Sequence, residues 1–223
     1  MSKFETDTLI IGAGSVGIAV AYYLKQHDPS LNVTLVDCGQ PMAFTSAQSG
    51  ENYRNWWPNP MMRAFTDRSI DLMEEIASDS DNLIQMTRRG YLLATRSADI
   101  EAHLAGLHEG YSGSDENSIR LHGTSGALQY QEATEETWQA APSGVDVLTD
   151  KASIERLFPY FDKDVRSVLH IRRAGTISGQ QLGQYMLQAY RALGGERTTG
   201  KVTHIEKEGR FQVDLEGGDM IAA

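Results

Sequence analysis

The first 37 residues carry the strongest hydrophobic pattern in the chain. An apolar run at 8–11 leads into a glycine-rich turn, a stretch with helical spacing follows, and a second apolar run at 33–36 ends at Asp37. Short apolar runs on either side of one helical stretch are typical of a strand–helix–strand unit. Asp28-Pro29 ends the helix, because proline cannot continue its hydrogen-bond ladder. We therefore predict a βαβ unit over residues 7–37.

Similar patterns predict further elements along the chain. The predicted helices begin at Asn59-Pro60 and run to Ile76, then cover 97–109, Asp150–Leu157 and Ser178–Leu193. The predicted strands cover 86–95 and 165–172, followed by a hairpin of 201–207 and 211–215. Residues 38–58 lack periodicity and predict an ordered loop, whereas 110–149 predict loops with short elements.

The last residues, Gly217 to Ala223, resemble a turn and the first residues of a third hairpin strand. A strand that stops there is expected to leave a sheet edge unpaired. We therefore expect the chain to be a fragment of a longer protein or a truncated gene product.

The turn after the first apolar run has the pattern G-x-G-x-x-G, formed by Gly12, Gly14 and Gly17, and Asp37 follows about 20 residues later. In a dinucleotide site, the first glycine permits a sharp turn, the second lets a pyrophosphate approach the backbone, and the third lets the helix pack against the strand. The helix N-terminus offers free N–H groups to the phosphates. Asp37 is predicted to accept hydrogen bonds from the adenosine ribose.

Composition narrows the functional classes. The chain has 223 residues, a formal net charge of -10 and a pI near 5.0, which argue against a nucleic-acid partner. No apolar stretch approaches the roughly 20 residues that span a bilayer, and no secretory signal is visible. The single cysteine, Cys38, indicates a reducing compartment, so we expect a cytoplasmic protein. The six histidines show no metal-ligand spacing, so no metal site is predicted.

NAD is an alternative ligand for the same glycine motif. An NAD-binding domain normally continues at once into further βαβ units. Here an irregular loop and a mixed helix–strand region follow the second strand. This order of elements favours FAD.

Four blocks then resemble the N-terminal half of the FAD-dependent oxidoreductases of the D-amino-acid oxidase, glycine oxidase and sarcosine oxidase superfamily. They are Gly12 to Gly17 with Asp37, the small-residue loop T-S-A-Q-S-G at 45–50, the strand-like R-G-Y-L at 89–92, and G-T-I at 175–177 with the helix, Gly194-Gly195 and the strand around Val202 that follow. Together they span nearly the whole chain in the order of that family.

The resemblance implies an α/β fold. We expect a three-layer, Rossmann-like FAD-binding domain from residues 1–85 and 173–223, interrupted by part of an α+β substrate domain at 86–172. It also implies the cofactor contacts: Gly12, Gly14, Ser15 and Gly17 with the pyrophosphate, Asp37 with the ribose, Thr45, Ser46 and Gly50 along the pyrophosphate, ribityl chain and flavin edge, and Val202 with the adenine.

The activity that the resemblance implies is oxidation of the C–N bond of an amino acid or secondary amine by hydride transfer to the flavin. The alternative is a non-catalytic or truncated dinucleotide-binding module, or one subunit of a split flavoenzyme. Catalytic residues are not assigned, because most of the family's substrate pocket lies in its C-terminal half. We expect non-covalent FAD, since no histidine lies at 39–58 and Cys38 is beside the ribose-binding Asp37.

Several other side chains are weaker candidates. Arg54 could line the flavin or the substrate entrance, whereas Trp56 and Trp57 are expected to serve packing. Within the pairs Arg88-Arg89 and Arg172-Arg173, one arginine could bind a substrate carboxylate, although solvated strand arginines are the commoner case. His170, just before the second pair, is the one histidine of interest.

Overall fold

The computed structural model of the protein describes residues 3–97, 99–112, 118–123, 130–134 and 138–223. The helices are α1 (Ser15–His27), α2 (Pro60–Asp79), α3 (Glu101–Gly110), α4 (Lys151–Leu157) and α5 (Gly179–Ala192), with a 3₁₀ helix at Thr45–Gln48. The strands are β1 (Lys3–Glu5), β2 (Thr8–Ile11), β3 (Val33–Asp37), β4 (Asn52–Arg54), β5 (Tyr91–Thr95), β6 (Ile119–His122), β7 (Val145–Leu148), β8 (Ser167–Ile171), β9 (Ala174–Thr176), β10 (Glu196–Thr199), β11 (Val202–Glu208), β12 (Arg210–Leu215) and β13 (Met220–Ala222). This mixture confirms the predicted α/β class.

The chain forms two compact units, one of residues 1–50 and 178–223 and the other of residues 51–177. These bounds differ from the domain boundaries predicted at 85 and 172. The difference arises mainly from α2, which we expected in the first domain. Acidic side chains of α2 bind Arg173, so this helix packs within the second unit.

In the first unit, a parallel sheet has the strand order β10-β3-β2. The helices α1 and α5 pack against each other, and α1 also packs on β2 and β3. A second sheet, in the order β1-β13-β12-β11, packs its apolar side chains on the parallel sheet, where Val36 meets Val213, Leu215 and Ile221. The predicted βαβ unit is confirmed, and the unit has the three layers expected of it.

The last strand of the first unit differs from expectation. We predicted that a strand ending near Ala223 would leave an unpaired edge. Instead, β13 lies inside its sheet, antiparallel to β12 and parallel to β1, with Lys3 opposite Met220. The short strand β1, which the sequence pattern did not predict, supplies the missing partner.

In the second unit, a sheet of order β5-β8-β7-β6 forms the centre, and a two-stranded ladder pairs β4 with β9. The strand predicted from residue 86 begins only at Tyr91. Val145, Val147, Leu169 and Ile171 are buried together with Leu107 of α3. Three predicted helix starts are confirmed, because Asn59, Asp150 and Ser178 accept hydrogen bonds from the Met62, Ser153 and Gln181 N–H groups. The helix predicted from residue 97 begins at Glu101.

Buried charges organise the sheet of the second unit. Asp146 on β7 accepts hydrogen bonds from Arg120 and His122, and its Oδ2 lies 3.4 Å from Arg172 Nη1. Arg172 also donates to His170 Nδ1 at 2.8 Å. Since arginine cannot accept a hydrogen bond, Nδ1 is the acceptor, and His170 Nε2–H donates to the Arg89 carbonyl.

Three of these arginines, Arg88, Arg172 and Arg173, differ from the solvated strand arginines that we considered the commoner case, whereas Arg89 is exposed. Arg88 and Arg172 are buried. Arg88 binds Glu74, and Arg173 binds Asp67, Asp71 and the same Glu74, all on α2. Because these carboxylates already neutralise Arg88 and Arg173, the two arginines serve to attach α2 and do not favour recognition of a substrate carboxylate.

His170 is expected to make folding pH-dependent. Burial and the Arg172 charge lower the pKa of His170 to about 4, whereas an unfolded histidine has a pKa of about 6.5. At pH values between these two pKa values, the unfolded chain binds a proton at His170 and the folded chain does not. The free energy of unfolding therefore falls as the pH decreases. Lowering the pH from 7 to 5 should cost about 2 kcal/mol of unfolding free energy through His170.

Urea unfolding at both pH values measures this effect. His170→Gln should remove most of the pH dependence, whereas His204→Gln, at an exposed position of β11, should leave it unchanged. Equal pH dependence in wild type and His170→Gln would contradict the assignment.

Within the part of the chain that the structure describes, no helix is long and apolar enough to cross a membrane.

Candidate functional site

The turn between β2 and α1 can form only with glycine at two positions. Gly12 has φ of +107°, in the left-handed region that other residues rarely adopt. At Gly17, a Cβ would lie 1.9 Å from the Gly12 carbonyl oxygen. Gly12 N–H donates to the Val36 carbonyl at 2.8 Å, which fixes the turn to β3. The backbone of the turn thus packs tightly against the start of α1.

The N-terminus of α1 lacks a side-chain cap. Its N-cap residue is Gly14, which has no side chain to accept from the first-turn N–H groups. Ser15 N–H donates to Ser46 Oγ at 3.0 Å, and a Cβ at Gly14 would lie 3.2 Å from that oxygen. The turn and the 3₁₀ helix therefore face each other across a narrow gap lined by backbone and hydroxyl groups.

This gap opens into a cleft of about 840 Å³ in the first unit. Its lining brings together six of the predicted site residues: Gly12, Gly14, Ser15, Gly17, Thr45 and Ser46. Apolar side chains, including the exposed Ile11 and Val16, form the rest of the wall. A concave, mostly apolar cleft with a few convergent polar groups is typical of a cofactor site.

Asp37 ends β3 and binds the glycine turn. Its Oδ2 accepts from Ala13 N–H at 2.7 Å, and its Oδ1 accepts from Gly39 N–H at 2.7 Å. Partial burial acts to raise the pKa of Asp37, but these hydrogen bonds and the Arg197 guanidinium outweigh it and keep the pKa below its usual value. Since an ionised carboxylate has about four lone-pair sites, both oxygens can still accept from ribose hydroxyls.

Three predicted residues, Asp37, Gly50 and Val202, are not among those that line the cleft. Gly50 is exposed and is the last residue of segment 1–50, the first of the two segments that form this unit. Val202 begins β11 and packs against the buried cluster of Val36 and Leu215. The strand directly after Gly194-Gly195 is β10, which the sequence pattern did not separate from the strand around Val202.

Two further residues of the cleft were not predicted from the sequence. Gln48 and Ser49 line it beside Thr45 and Ser46. The local signal was present, because both lie within the T-S-A-Q-S-G block. Arg197, whose charge helps to lower the pKa of Asp37, was also not predicted, because it lies on β10 and approaches Asp37 only through the pairing of β10 with β3.

In the second unit, Arg54 packs between aromatic rings. Its guanidinium carbon lies 4.8 Å from the Trp57 ring centroid and 4.9 Å from that of Tyr91. Trp56 packs against the buried core that contains Leu107. These contacts favour packing for Trp56 and a cation–π role for Arg54. Among the described residues, no cluster of three or more His, Cys, Asp or Glu side chains could hold a metal ion.

A comparison with curated proteins gave no significant match. Solved structures are similar in fold. L-proline dehydrogenase from P. horikoshii (TM-score 0.76, 12% identity) matches 99% of this chain and 51% of its own. Glycine oxidase from Geobacillus kaustophilus (TM-score 0.69, 17% identity) matches 99% of this chain and 54% of its own length. Reduced L-alpha-glycerophosphate oxidase from Mycoplasma pneumoniae with FAD bound (TM-score 0.70, 18% identity) matches 97% of this chain and 52% of its own length. This chain thus spans about half the length of each.

A family comparison covers almost the whole chain. The family model described as "FAD dependent oxidoreductase" matches residues 7–222, which include both compact units, the glycine turn and Asp37. The glycine turn, the uncapped N-terminus of α1 and the free lone pairs of Asp37 fit the pyrophosphate and ribose of this family's cofactor. The chain therefore belongs to the FAD-dependent oxidoreductase family, whose cofactor is FAD.

Proposed function

We propose that the cleft beside the glycine turn holds the ADP portion of FAD. The observation that carries this proposal is the close approach of the α1 N-terminus to the 3₁₀ helix, with no side chain on Gly14 to block a phosphate. Backbone N–H groups at a helix N-terminus favour a pyrophosphate, because they donate hydrogen bonds and carry partial positive charge.

Each residue then has a proposed role. Gly12, Gly14, Ser15 and Gly17 surround the pyrophosphate, and Asp37 accepts from the ribose hydroxyls. Thr45, Ser46 and Gly50 extend the site along the ribityl chain toward the flavin edge, and the backbone of Val202 meets the adenine. Asp37, Gly50 and Val202 all lie outside the cleft lining. The role of Asp37 is also supported by its hydrogen bond from Ala13 N–H in the glycine turn, whereas Gly50 and Val202 rest on the family resemblance alone.

For the reaction, we propose oxidation of a C–N bond in an amino acid or secondary amine. FAD supplies the two-electron oxidation when bound, and the product imine is hydrolysed by water. The names of several similar structures support this class, among them glycine oxidase, L-proline dehydrogenase and iminodiacetate oxidase. The glycerophosphate oxidase has a substrate without nitrogen, so substrate class needs a direct assay.

We also propose that FAD is held without a covalent bond. No histidine lies at 39–58, and the exposed Cys38 directly follows Asp37, at the ribose end of the proposed site. The single cysteine further supports a reducing compartment such as the cytoplasm.

Asp37→Ala tests the site. Loss of the ribose hydrogen bonds, each worth about 0.5–1.5 kcal/mol, should weaken FAD binding about tenfold. A titration followed by flavin absorbance and fluorescence measures the dissociation constant. Glu206→Ala, a carboxylate removed from the exposed strand β11, should bind FAD like wild type. Equal FAD affinity in Asp37→Ala and wild type would count against the role of Asp37, and absence of binding in wild type would overturn the site.

Activity needs a second assay. Dye reduction by the FAD-loaded chain, tested with amino acids, secondary amines and glycerol phosphate, separates the candidate functions. Turnover of an amine supports the proposed reaction. FAD binding with no turnover of any of them supports the alternative of a non-catalytic module or one half of a split enzyme.

A further inference from the structure

A second cleft lies in the unit of residues 51–177, between the end of β5, the segment before α4 and the start of β8. It has a volume of about 810 Å³, within the range of about 300–1,000 Å³ typical of small-molecule sites. Ile100 and Val165 contribute apolar surface, and Ser97, Thr149 and Ser167 contribute hydroxyl groups. None of the proposed FAD contacts lies in this unit.

The cleft is strongly basic in an acidic protein. Arg96, Lys151, Lys163 and Arg166 line it, and among the described residues Asp164 is the one acidic residue of the lining. The whole chain has a formal net charge of -10. Basic side chains drawn from separate segments into one concavity focus a positive potential there, which attracts anions.

The protein itself neutralises these charges only weakly. Arg96 lies 3.4 Å from Asp162, and Lys151 lies 3.8 Å from Glu155, with the two basic side chains 65% and 68% exposed. Exposed pairs of this kind contribute little energy and leave the cations available. Within the described part of the chain, Lys163 and Arg166 form no ion pair.

Ser167 provides independent evidence for a ligand. The residue is 2% exposed, yet it lines the cleft. Its buried Oγ has no hydrogen-bond partner in the structure. A buried hydroxyl without a partner is unfavourable, so such a group commonly marks a place where a ligand or water completes the hydrogen bonds.

We propose that this cleft binds a small phosphate-bearing metabolite at a site separate from FAD. Arg96, Lys163 and Arg166 bind its charged oxygens, and the Ser167 hydroxyl donates to one of them. Arginine and lysine together with hydroxyl donors suit phosphate, whose oxygens accept several charge-assisted hydrogen bonds. The concave shape and volume favour a small molecule over a protein surface.

Calorimetric titration with inorganic pyrophosphate tests the proposal, without and with saturating FAD because FAD also contains a pyrophosphate. Lys163→Gln/Arg166→Gln should weaken pyrophosphate binding about tenfold or more in the FAD-saturated protein, where the glycine turn is already occupied. Lys201→Gln/Arg210→Gln removes the same charge from exposed positions of the other unit and should change the affinity less than about twofold.

Three results would overturn the proposal: no saturable binding by wild type, equal weakening in the two double variants, or binding that FAD abolishes. The first two indicate no site or only non-specific attraction, and the third locates pyrophosphate at the glycine turn. Because the variants leave the FAD cleft intact, failure here says nothing against FAD binding.

Ser167→Ala tests the hydroxyl. It should weaken pyrophosphate binding severalfold while leaving the thermal midpoint of the free protein unchanged or higher, since a partnerless hydroxyl is removed. A lower midpoint with unchanged affinity would mean that Ser167 serves the fold alone, and would overturn the proposed contact.

Discussion

Gly17→Ala is expected to destabilise the first unit by about 3 kcal/mol and to abolish FAD binding. The new Cβ would lie 1.9 Å from the Gly12 carbonyl oxygen and 3.1 Å from its carbonyl carbon. Both are backbone atoms, so no side-chain rotation relieves the clash. The turn or α1 must shift, and either movement displaces the N–H groups proposed to bind the pyrophosphate. Thermal unfolding and a flavin-absorbance titration measure the two losses.

Gly106→Ala is the matched control. Gly106 lies inside α3, and a Cβ there would meet only the Pro58 Cβ at 4.0 Å, an ordinary contact. Alanine is the better helix former by about 0.5–1 kcal/mol, so this variant should be slightly more stable and bind FAD normally. If Gly17→Ala behaved like Gly106→Ala, the close packing of α1 on the turn would be wrong.

Asp146→Asn is expected to destabilise the second unit by about 3 kcal/mol or more. The Asp146 side chain is 5% exposed, and its charge faces Arg172, which is 2% exposed. Burial acts to raise the pKa of Asp146, but the hydrogen bonds from Arg120 and His122 and the nearby arginine charges outweigh burial and keep the pKa below its usual value. The carboxyl is therefore ionised at neutral pH. The amide leaves the Arg172 charge buried without a counterion, which is costly.

Urea unfolding at neutral pH measures the change. Glu155→Gln serves as the control, because Glu155 pairs with Lys151 on the exposed side of α4 and should contribute only about 0.3–0.5 kcal/mol. A cost below about 1 kcal/mol for Asp146→Asn would show that Arg172 is compensated by its other contacts, such as the Gln131 carbonyl.

The sequence predicts local features of this protein well. Residues 7–37 form the βαβ unit because apolar spacing, a glycine turn and a proline stop all act over a few residues. Six of the nine predicted site residues line one cleft, since they lie in two short segments that the turn and the 3₁₀ helix bring together. Capping by Asn59 and Asp150 is likewise a local interaction.

Long-range pairings could not be predicted in the same way. Strand β1 has three residues and no distinctive pattern, and its existence depends on β13. Arg88, Arg172 and Arg173 looked like surface residues because their partners, on α2 and β7, are distant in sequence. The basic cleft collects single cations near residues 96, 151 and 163–166, and no one segment is unusually basic.

The pairing of β1 with β13 has a consequence for the order of folding. Residues 3 and 220 are opposite each other, so this sheet depends on contacts of very high sequence separation, which form slowly. The second unit is one continuous stretch, 51–177, and emerges from the ribosome before 178–223. Since domains tend to fold as they are synthesised, the inserted unit is expected to fold first. Residues 3–50 must then wait in a partly folded state, with the edge of β3 unpaired and Val36 uncovered, until β10 to β13 arrive.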